Sequence, residues 1–374
     1  MQKDPQEEPR IRLDVIAVFA GTSIVALTAV PWYGITHGFS PALWVLFSIF
    51  LMWNGLSITA GYHRLWSHKS YEAVLPVRII FALGGALAVQ NSIRSWCSNH
   101  RHHHQYVDDP ARDPYAATNG LWYSHLGWML KDYPAARVTD SNIRDLNRDP
   151  VVLWQDRYYW VLAFSMNVIL TTCLGYLAGD ALGGLLLLGF FRLVVSHHTT
   201  FFINSLAHCW GRQPYSDASS ARDNGLIAML TYGEGYHNFH HTFQWDYRNG
   251  LKWYQFDPTK WLIATLNLTR LAGNLKRTPP EQIERSMVNM QLKRARQAAS
   301  DWMDADIWVA RLEAEYNELI EHLNQWAIYR QQWVALRKQN LADQASELKA
   351  RLKEIEAELN QQRERWHNLR CQFA

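Results

Sequence analysis

The sequence predicts an all-α integral membrane protein, in which a bundle of four transmembrane helices carries a cytosolic helical cap and precedes a separate helical extension. Three observations lead to this fold class. Four apolar blocks approach the length of a bilayer span, groups of histidines lie between and after them, and the chain lacks proline and glycine after residue 280. We therefore expect a membrane domain at 1–278 and a helical extension at 279–374.

The transmembrane helices are predicted from the length of the apolar blocks. A span needs about 20 mostly apolar residues, and the blocks that meet this length are 15–35, 42–61, 158–178 and 181–206. A further block, 79–89, is too short to span and predicts an interfacial or re-entrant helix. Arg192 lies inside the fourth block, where it should face the bundle interior, although the sequence indicates no partner for it.

The charges of the connecting segments predict the orientation. The connections 31–41 and 179–182 carry no lysine or arginine, whereas Arg10, Arg12 and Arg64 flank other span ends. Because basic loops stay in the cytosol, both termini and all the remaining polar segments are expected on the cytosolic side.

Composition narrows the class of protein further. The net charge of +3 does not indicate a nucleic-acid partner. The four cysteines have no paired spacing and are interpreted as free thiols. No cleavable signal peptide is expected, because the first apolar block is long enough to span and lacks a small-residue cleavage pattern after it.

The histidines are the strongest chemical signal among these residues. In a helix, positions i, i+3 and i+4 share one face, and both "HRHHH" at 100–104 and "HNFHH" at 237–241 have histidine at all three of these positions. His102 points away from that face. His63 and His68 are five apart, about 140° around an α-helix, so either the helix ends between them or they serve different ions. The candidate metal ligands are His63, His68, His100, His103, His104, His208, His237, His240 and His241.

This number of imidazoles indicates two metal ions. A zinc ion takes four ligands, so nine histidines suit two ions with open positions, and imidazole suits zinc, iron, copper or nickel. Two irons with open positions beside a hydrocarbon phase suggest oxygen activation against an apolar substrate. The single Glu-x-x-His pair, Glu234 to His237, is interpreted as incidental, and His125, His197 and His198 are not assigned as ligands. A zinc-binding or metal-handling membrane protein is the alternative from another class.

Five motifs together resemble the membrane fatty acid desaturases, of the stearoyl-CoA (acyl-CoA) Δ9 type. They are "SITAGYHRLWSH" at 57–68, "HRHHH" at 100–104, "SHLGW" at 124–128, "INSLAH" at 203–208 and "GEGYHNFHH" at 233–241. The resemblance covers roughly 13–275. It implies two irons held by the nine histidines, with Asn204 holding a water on one iron. It also implies that O2 is consumed while two hydrogens are removed from adjacent methylenes, which leaves a cis double bond.

The same resemblance implies a narrow substrate tunnel. Gln90, Trp96 and Thr200 occupy the positions where the tunnel bends, and Leu51 and Gly55 match positions that close its far end. Under this hypothesis Gly55→Ile shortens the preferred acyl chain. The alternative is that Gly55 simply allows close helix packing.

The acyl carrier is not fixed by these motifs. Better-known animal members carry Arg-Asp before the second histidine box, to help bind coenzyme A, whereas this chain has Ser98 and Asn99 there. Asn91, Arg94 and Lys131 remain candidates to contact a phosphate. We expect a long-chain acyl-CoA. An acyl chain on a membrane lipid, as in cyanobacterial relatives, is the alternative, and a fatty-acid hydroxylase uses similar boxes.

The resemblance also implies an electron-donor protein. The sequence shows neither a His-Pro-Gly-Gly haem signature nor a rubredoxin-like cysteine set, so we expect a separate donor of the ferredoxin, rubredoxin or b-type cytochrome kind with its reductase. This fits a multi-pass protein of a bacterial inner membrane.

The extension after 279 predicts long helices. One seam repeats leucine and tryptophan at Leu312, Leu319, Trp326 and Trp333. A second seam is formed by Leu341, Leu348, Leu352, Ile355, Leu359, Trp366 and Leu369, with Gln362 interrupting it. The spacing slips at 337–343, which indicates a hairpin turn or a stutter in a coiled coil. The candidate roles are homodimerisation, docking on the cytosolic cap, recruitment of the electron donor, or packing with no partner.

Overall fold

The computed structural model describes residues 8–133, 140–339 and 341–373. The described chain divides into two compact units. One consists of the residues up to 213 together with 218–277, and the other of 214–217 and the residues from 278 onward.

The described structure is almost entirely helical. In chain order the α-helices are α1 (Leu13–Leu27), α2 (Ala29–Thr36), α3 (Pro41–Leu56), α4 (Leu75–Leu87), α5 (Ile93–Tyr106), α6 (Trp128–Leu130), α7 (Pro150–Arg157), α8 (Tyr159–Phe164), α9 (Leu170–Leu177), α10 (Ala181–Gly184), α11 (Arg192–Asn204), α12 (Leu206–Cys209), α13 (Gly225–Leu230), α14 (His237–Thr242), α15 (Pro258–Leu268), α16 (Pro280–Ala299), α17 (Ala305–Lys338) and α18 (Ala342–Arg370). The π-helical segments are Ser57–Ser67, Tyr123–Gly127, Ser165–Ile169 and Leu185–Phe191. Short 3₁₀ turns are Ala117–Asn119, Asp140–Ile143, Leu146–Arg148 and Cys371–Phe373.

The strands are short, with two residues each, and they pair with one another. They are β1 (Arg10–Ile11), β2 (Glu72–Ala73), β3 (Lys131–Asp132) and β4 (Ala272–Gly273). Both pairs are antiparallel: β1 pairs with β3 so that Ile11 faces Lys131, and β2 pairs with β4 so that Ala73 faces Ala272.

Four helical runs within the described residues are long and apolar enough to cross a bilayer, which confirms the predicted all-α membrane fold. They are Leu13–Thr36, Pro41–Ser67, Tyr159–Leu177 and Ala181–Cys209. The second and fourth runs extend beyond the predicted ends at 61 and 206, because the helix continues into the histidine-bearing segments. The short apolar block forms α4, whose 13 residues are too few to span.

Close approach of glycine backbones holds α4 against the second span. A Cβ atom at Gly85 would lie 2.1 Å from the Tyr62 ring, so only glycine permits this packing. The resulting hydrophobic core joins the π-helical segment Ser57–Ser67 to α4, α5 and α7. Its buried members include Tyr62, Phe81, Ile93 and Val152. This core lies directly behind the histidine-bearing faces of the helices.

Arg192 has partners that the sequence did not indicate. It is fully buried; its Nη1 donates to Asn54 Oδ1 at 3.2 Å, and its Nη2 donates to Asn167 Oδ1. Its Nε donates to the Leu188 carbonyl at 2.8 Å, and Asn54 also donates to Ser196 Oγ at 3.0 Å. The guanidinium therefore faces the bundle interior, as predicted, and is satisfied by neutral amides of two other spans.

The described part of the second unit is a helical bundle formed by α16, α17 and α18. α17 ends at Lys338 and α18 begins at Ala342, so the slip in spacing corresponds to a hairpin between antiparallel helices; Asn340 lies outside the described residues. Leu312, Leu319 and Leu359 are fully buried in the bundle core together with residues of α16. The interrupting Gln362 is also buried, and its Nε2 donates to Glu315 Oε2 at 2.8 Å.

Replacing Asn54 by leucine is expected to destabilise the membrane unit by about 2 kcal/mol, the worth of a hydrogen bond to a charged group. The buried guanidinium of Arg192 would lose an acceptor that apolar surroundings cannot replace. The double variant Asn54→Leu/Arg192→Met should recover much of the lost stability, because the charge is then removed as well. Thermal unfolding in detergent measures both. Equal destabilisation by the single and double variants would contradict this account of Arg192.

Candidate metal centre and cavity

A π-helical segment brings His63 and His68 onto one face. In a π-helix the backbone hydrogen bonds join residues five apart, and the His68 N–H donates to the His63 carbonyl at 3.1 Å. The two rings are consequently neighbours, with centroids 4.8 Å apart. The expectation that the helix ends between them or that they serve different ions rested on α-helical geometry, and the wider turn makes it wrong.

The histidine triplets on α5 and α14 are each divided between two clusters. On α5, His100 and His104 join one cluster and His103 the other; on α14, His237 and His241 join the second cluster and His240 the first. The first group, here called the five-histidine cluster, is His63, His68, His100, His104 and His240. The second, here called the four-histidine cluster, is His103, His208, His237 and His241.

The ring nitrogens within each cluster point at one another. In the five-histidine cluster the Nε2 atom of His240 lies 3.0 Å from that of His63 and 2.9 Å from that of His104. In the four-histidine cluster the Nε2 atom of His237 lies 3.1 Å from those of His208 and His241. The clusters are adjacent, since the stacked rings of His104 and His241 are 4.4 Å apart.

Buried hydrogen-bond acceptors fix the tautomer of several of these rings. His63 Nδ1 lies 2.9 Å from Glu234 Oε2, and His103 Nδ1 lies 2.9 Å from both carboxylate oxygens of Asp113. A carboxylate accepts the Nδ1 proton, so in the neutral ring the lone pair is left on Nε2. Carboxylate–histidine pairs of this kind orient metal-binding imidazoles.

Hydroxyl groups hold two further rings. His208 Nδ1 lies 2.8 Å from Ser220 Oγ, and that hydroxyl in turn donates to Asp108 Oδ1 at 2.6 Å. His100 Nδ1 lies 3.3 Å from the hydroxyl of Tyr115. The Nε2 atoms of both rings are thus directed into the clusters.

The residues present fit a pair of metal ions. The Nε2 lone pairs that Glu234, Asp113 and Ser220 direct into the clusters are free to bind a cation, and the neighbouring ring nitrogens at about 3 Å can bind the same cation. Imidazole nitrogens bind such an ion at about 2.1 Å, so nitrogens about 3 Å apart are close enough to bind one ion together. The donor set is entirely imidazole, with no thiolate, among the described residues of both clusters.

Burial also favours the neutral form of six of the cluster histidines. Desolvation, followed by the influence of neighbouring histidines, lowers the pKa of every cluster histidine that lies outside the spanning helices and has a resolved shift, namely His68, His100, His104, His237, His240 and His241. Neutral imidazole is the form that binds metal.

Glu234, interpreted from the sequence as incidental, is central to this arrangement. Burial raises the pKa of its carboxyl group, but electrostatic interaction and hydrogen bonding with His63 and Arg64 outweigh that effect and lower the pKa to about 2. Arg64 Nη2 donates to Glu234 Oε1 at 2.8 Å and also pairs with Asp257 at 3.1 Å. The carboxylate that orients His63 is therefore kept ionised in a buried position.

The sequence analysis missed Asp108, Asp113 and Glu234 as supporting groups. The signal was available, because "DDPARDP" at 108–114 follows the second histidine box directly and carboxylates commonly support ligating histidines. Tyr115 and Ser220 could not have been found in this way, since hydroxyl residues near a histidine box carry no comparable expectation.

A cavity of about 440 Å³ runs beside both clusters. Its walls are formed by α1, the π-helical segment, the connection between α4 and α5, and α11. His63 and His100 of the five-histidine cluster and His103 and His237 of the four-histidine cluster line it. The size lies within the range of small-molecule sites.

Three of the five predicted tunnel residues, Gln90, Trp96 and Thr200, line this cavity, and so does Asn91, a candidate for a phosphate contact. Gln90 Nε2 donates to Thr200 Oγ1 at 2.9 Å across the cavity, and the Trp96 ring stacks on His100 with centroids 4.9 Å apart. Asn204, predicted to hold a metal-bound water, lines the cavity as well.

Among the described residues, Leu51 and Gly55 lie outside the cavity lining. A Cβ atom at Gly55 would be 2.1 Å from Cζ of Tyr232, whose hydroxyl donates to the Leu51 carbonyl at 3.1 Å. The structure therefore corrects the hypothesis that Gly55 leaves room for the end of a chain, because a tyrosine ring already occupies that space. Close packing, the alternative considered from the sequence, describes the site.

The remaining histidines near the site stand outside the two clusters. His102 is half-buried and contacts Tyr106. His125 contacts Ser205 Oγ at 3.0 Å and His198 at 3.1 Å, while His197 Nε2 donates to the Ala88 carbonyl at 2.9 Å. Of the candidates for a phosphate contact, Arg94 donates to Asn147 Oδ1 at 2.9 Å.

The fold and the site together define a class of helical membrane proteins. In this class two adjoining histidine clusters are suited to metal ions, and histidines of both clusters line one cavity. The family described as Fatty acid desaturase matches residues 39–270, more than half of the chain. This protein belongs to the fatty acid desaturase family.

Three relatives illustrate the range of similarity. The chain is 46% identical over 246 residues to the probable acyl-CoA desaturase of Schizosaccharomyces pombe, covering 66% of this chain and 51% of that protein. It is 45% identical over 251 residues to acyl-CoA desaturase 1 of Saccharomyces cerevisiae, covering 67% and 49%. It is 34% identical over 279 residues to the sn-2 palmitoyl-lipid 9-desaturase of Nostoc, covering 73% and 93%.

The chain thus spans about half the length of the two yeast relatives. Since the two of highest identity among these three are eukaryotic, the comparisons do not support the expected bacterial source.

Replacing Gly55 by alanine is expected to lower the thermal unfolding midpoint, because the added methyl group overlaps the Tyr232 ring and overpacking costs about 1–3 kcal/mol. Gly21→Ala, in a helix where nothing lies within 4 Å of the added Cβ, is the matched control and should leave the midpoint unchanged or raise it. Equal midpoints for the two variants in detergent would argue against the close packing at Gly55.

Replacing Asp113 by asparagine is expected to weaken metal binding by about 10–100-fold, because His103 loses the acceptor that fixes its tautomer. Competition with a chelator of known affinity measures the change. Asp109→Asn is the control, since its carboxylate accepts hydrogen bonds from the backbone of Ala111 and Arg112 rather than from a cluster histidine. Unchanged affinity in Asp113→Asn would count against its supporting role.

Proposed function

We propose that this protein is an oxygen-dependent fatty acyl desaturase that introduces a cis double bond into a saturated long-chain acyl group. The observation that carries the proposal is a cavity that histidines of both clusters line. Membership of the desaturase family supports it. The nine cluster histidines would hold two iron ions, with Asn204 contacting one of them through water.

The two irons would supply the activation of O2 that unreactive methylene groups require. The protein's own task is then to bind the acyl chain at one position and to keep water away from the reacting carbons. The walls of the cavity suit both tasks, since apolar residues such as Val18, Phe19 and Ile58 also line it.

The hydrogen bond between Gln90 and Thr200 supports a defined path for the chain. Because it joins two elements that line the cavity, the connection between α4 and α5 and helix α11, it would restrict the ways in which an acyl chain can pass. Trp96, stacked on His100, would place a rigid surface beside the chain next to a metal ligand. These contacts favour a single position of the double bond, for which we propose Δ9 on the basis of the sequence resemblance.

The proposed carrier is coenzyme A, as in the names of the two yeast relatives. A specific observation favours an acyl-lipid as the second candidate: the relative from Nostoc, named as an sn-2 palmitoyl-lipid desaturase, is matched over 93% of its length. Incubation of the purified protein and its electron donor with stearoyl-CoA, or with vesicles of a saturated phospholipid, separates the two carriers by which acyl group becomes unsaturated.

The reaction needs two electrons from a donor protein. We propose a ferredoxin, rubredoxin or b-type cytochrome with its reductase, acting on the cytosolic face, where the charge of the basic loops leads us to expect both termini. A bacterial inner membrane and homodimerisation through the carboxyl-terminal helices also stay proposals.

Expression in a bacterial host tests the function directly. The wild-type chain is expected to add a mono-unsaturated fatty acid to the host's profile, measured by gas chromatography with mass spectrometry. His103→Ala should abolish that product, because one cluster loses a ligand. His102→Ala, the adjacent histidine outside both clusters, is the matched control and should retain it.

The possible outcomes separate the candidate functions. A hydroxy acid in place of the alkene would identify a hydroxylase. Zinc rather than iron in the purified protein, with no product from any variant when the donor is supplied, would identify a metal-binding protein of another class. Equal product from His103→Ala and the wild type would contradict the proposed ligand set.

A further inference from the structure

We propose that His197 is a positioning residue that fixes the connection between α4 and α5, and through it the place where the acyl chain bends relative to the metal centre. This inference rests on the proposed function. The sequence analysis gave His197 no role, and it lies outside both histidine clusters, yet it is 3% exposed and lines the cavity.

The connection itself has an unusual backbone. Val89 has φ of 50° and Asn91 has φ of 73°, so two residues flanking Gln90 adopt the left-handed conformation. Asparagine tolerates it, but a β-branched residue such as valine rarely does. The position after a helix end is normally taken by glycine. Such strain persists only where the surroundings enforce it, and it concentrates at functional sites.

His197 supplies one of the enforcing contacts. The Ala88 carbonyl follows the end of α4, where carbonyl groups lack helical partners, and His197 Nε2 lies 2.9 Å from it. A carbonyl can only accept, so His197 donates from Nε2. Its ring packs against both Phe19 and Phe201, at centroid distances of 5.3 and 5.6 Å. The donor therefore has little freedom to move away.

The fourth span grips this connection at two points. His197 and Thr200 are three residues apart on α11 and so share a face; the first binds the Ala88 backbone, and the second accepts from the Gln90 side chain at 2.9 Å. From the opposite side, the Tyr62 hydroxyl donates to the Asn91 carbonyl at 3.4 Å. Contacts to the Ala88 carbonyl, the Gln90 side chain and the Asn91 carbonyl thus fix the position of Gln90 in the cavity.

The same connection leads directly into the metal-bearing helix. Ser92 caps α5 by accepting from the Ser95 N–H at 3.4 Å, and Trp96 and His100 follow on that helix. A shift in the connection would move Gln90 relative to His100, and a displacement of about 1 Å is enough to disturb positioned chemistry. Loss of the His197 contact should therefore allow neighbouring methylenes to reach the metal centre.

Two variants of His197 distinguish the effect of losing the hydrogen bond from the effect of changing the side-chain volume. His197→Leu fills the apolar space without a donor, whereas His197→Gln keeps an N–H that reaches the Ala88 carbonyl. His198→Leu is the matched control, because it removes the adjacent exposed imidazole, which lies outside the cavity lining among the described residues.

The first measurement is hydrogen exchange of the backbone amides over residues 87–93 in purified protein. We expect exchange roughly three- to tenfold faster in His197→Leu, as for the loss of one hydrogen bond. The wild-type rate should be retained in His197→Gln and His198→Leu. This readout does not depend on activity. An unchanged rate in His197→Leu would overturn the anchoring role, whatever the protein catalyses.

The second measurement is the distribution of double-bond positions in the product, from the fatty-acid profile of the expressing host. His197→Leu should raise the fraction of minor positional isomers several-fold, and His197→Gln should restore the wild-type distribution. Faster exchange with an unchanged distribution would overturn the link to bond position. Failure of the proposed function itself appears as a wild type that makes no unsaturated product, and the exchange rates then decide the anchoring role alone.

Discussion

The buried bonds between Nδ1 of a histidine and a carboxylate are the interaction on which the rest of the site depends. In a neutral imidazole one nitrogen carries the proton and the other the lone pair. By accepting from Nδ1, Glu234 and Asp113 direct the lone pairs of His63 and His103 into the clusters. The carboxylates must then be ionised inside the protein, which is costly unless a cation compensates. Arg64 meets that requirement for Glu234, and Asp257 and Asn249 complete the network around it.

The need for a cation beside the buried Glu234 carboxylate explains why the histidine clusters depend on the hydrophobic core. Arg64 lies next to His63 on the same π-helical segment, so one stretch of helix supplies both a ligand and the cation that stabilises its supporting carboxylate. The segment in turn packs on α4 through Gly85, where any side chain would meet the Tyr62 ring. A change in the core behind the site therefore reaches the histidines through a few rigid contacts.

The sequence predicted what depends on composition and on regular periodicity. Apolar length was enough for the four spans, and the α-helical face was enough to select the histidines of α5 and α14 and to leave out His102. Prediction from the sequence failed where the local geometry departs from a regular α-helix. The pairing of His63 with His68 needs the π-helical turn, and the division of each triplet between two clusters depends on where the helices meet. For Gly55 the sequence left chain length and close packing both open, because the partner that fills its space, Tyr232, is distant in sequence.

One polar stripe on the fourth span connects the membrane interior to the metal centre. At every fourth position this span carries a polar or charged side chain on a slowly turning face, in the order Arg192, Ser196, Thr200, Asn204 and His208. Its inner end is bound to Asn54 on the second span, and that same span continues outward to His63. The polar network near Arg192 thus fixes the axial register of two spans, so that His63 and His208 reach the clusters at matching depth. The buried Arg192 thus contributes to the site by setting this register, although His208, the cluster histidine on the same span, lies 16 residues further along the chain.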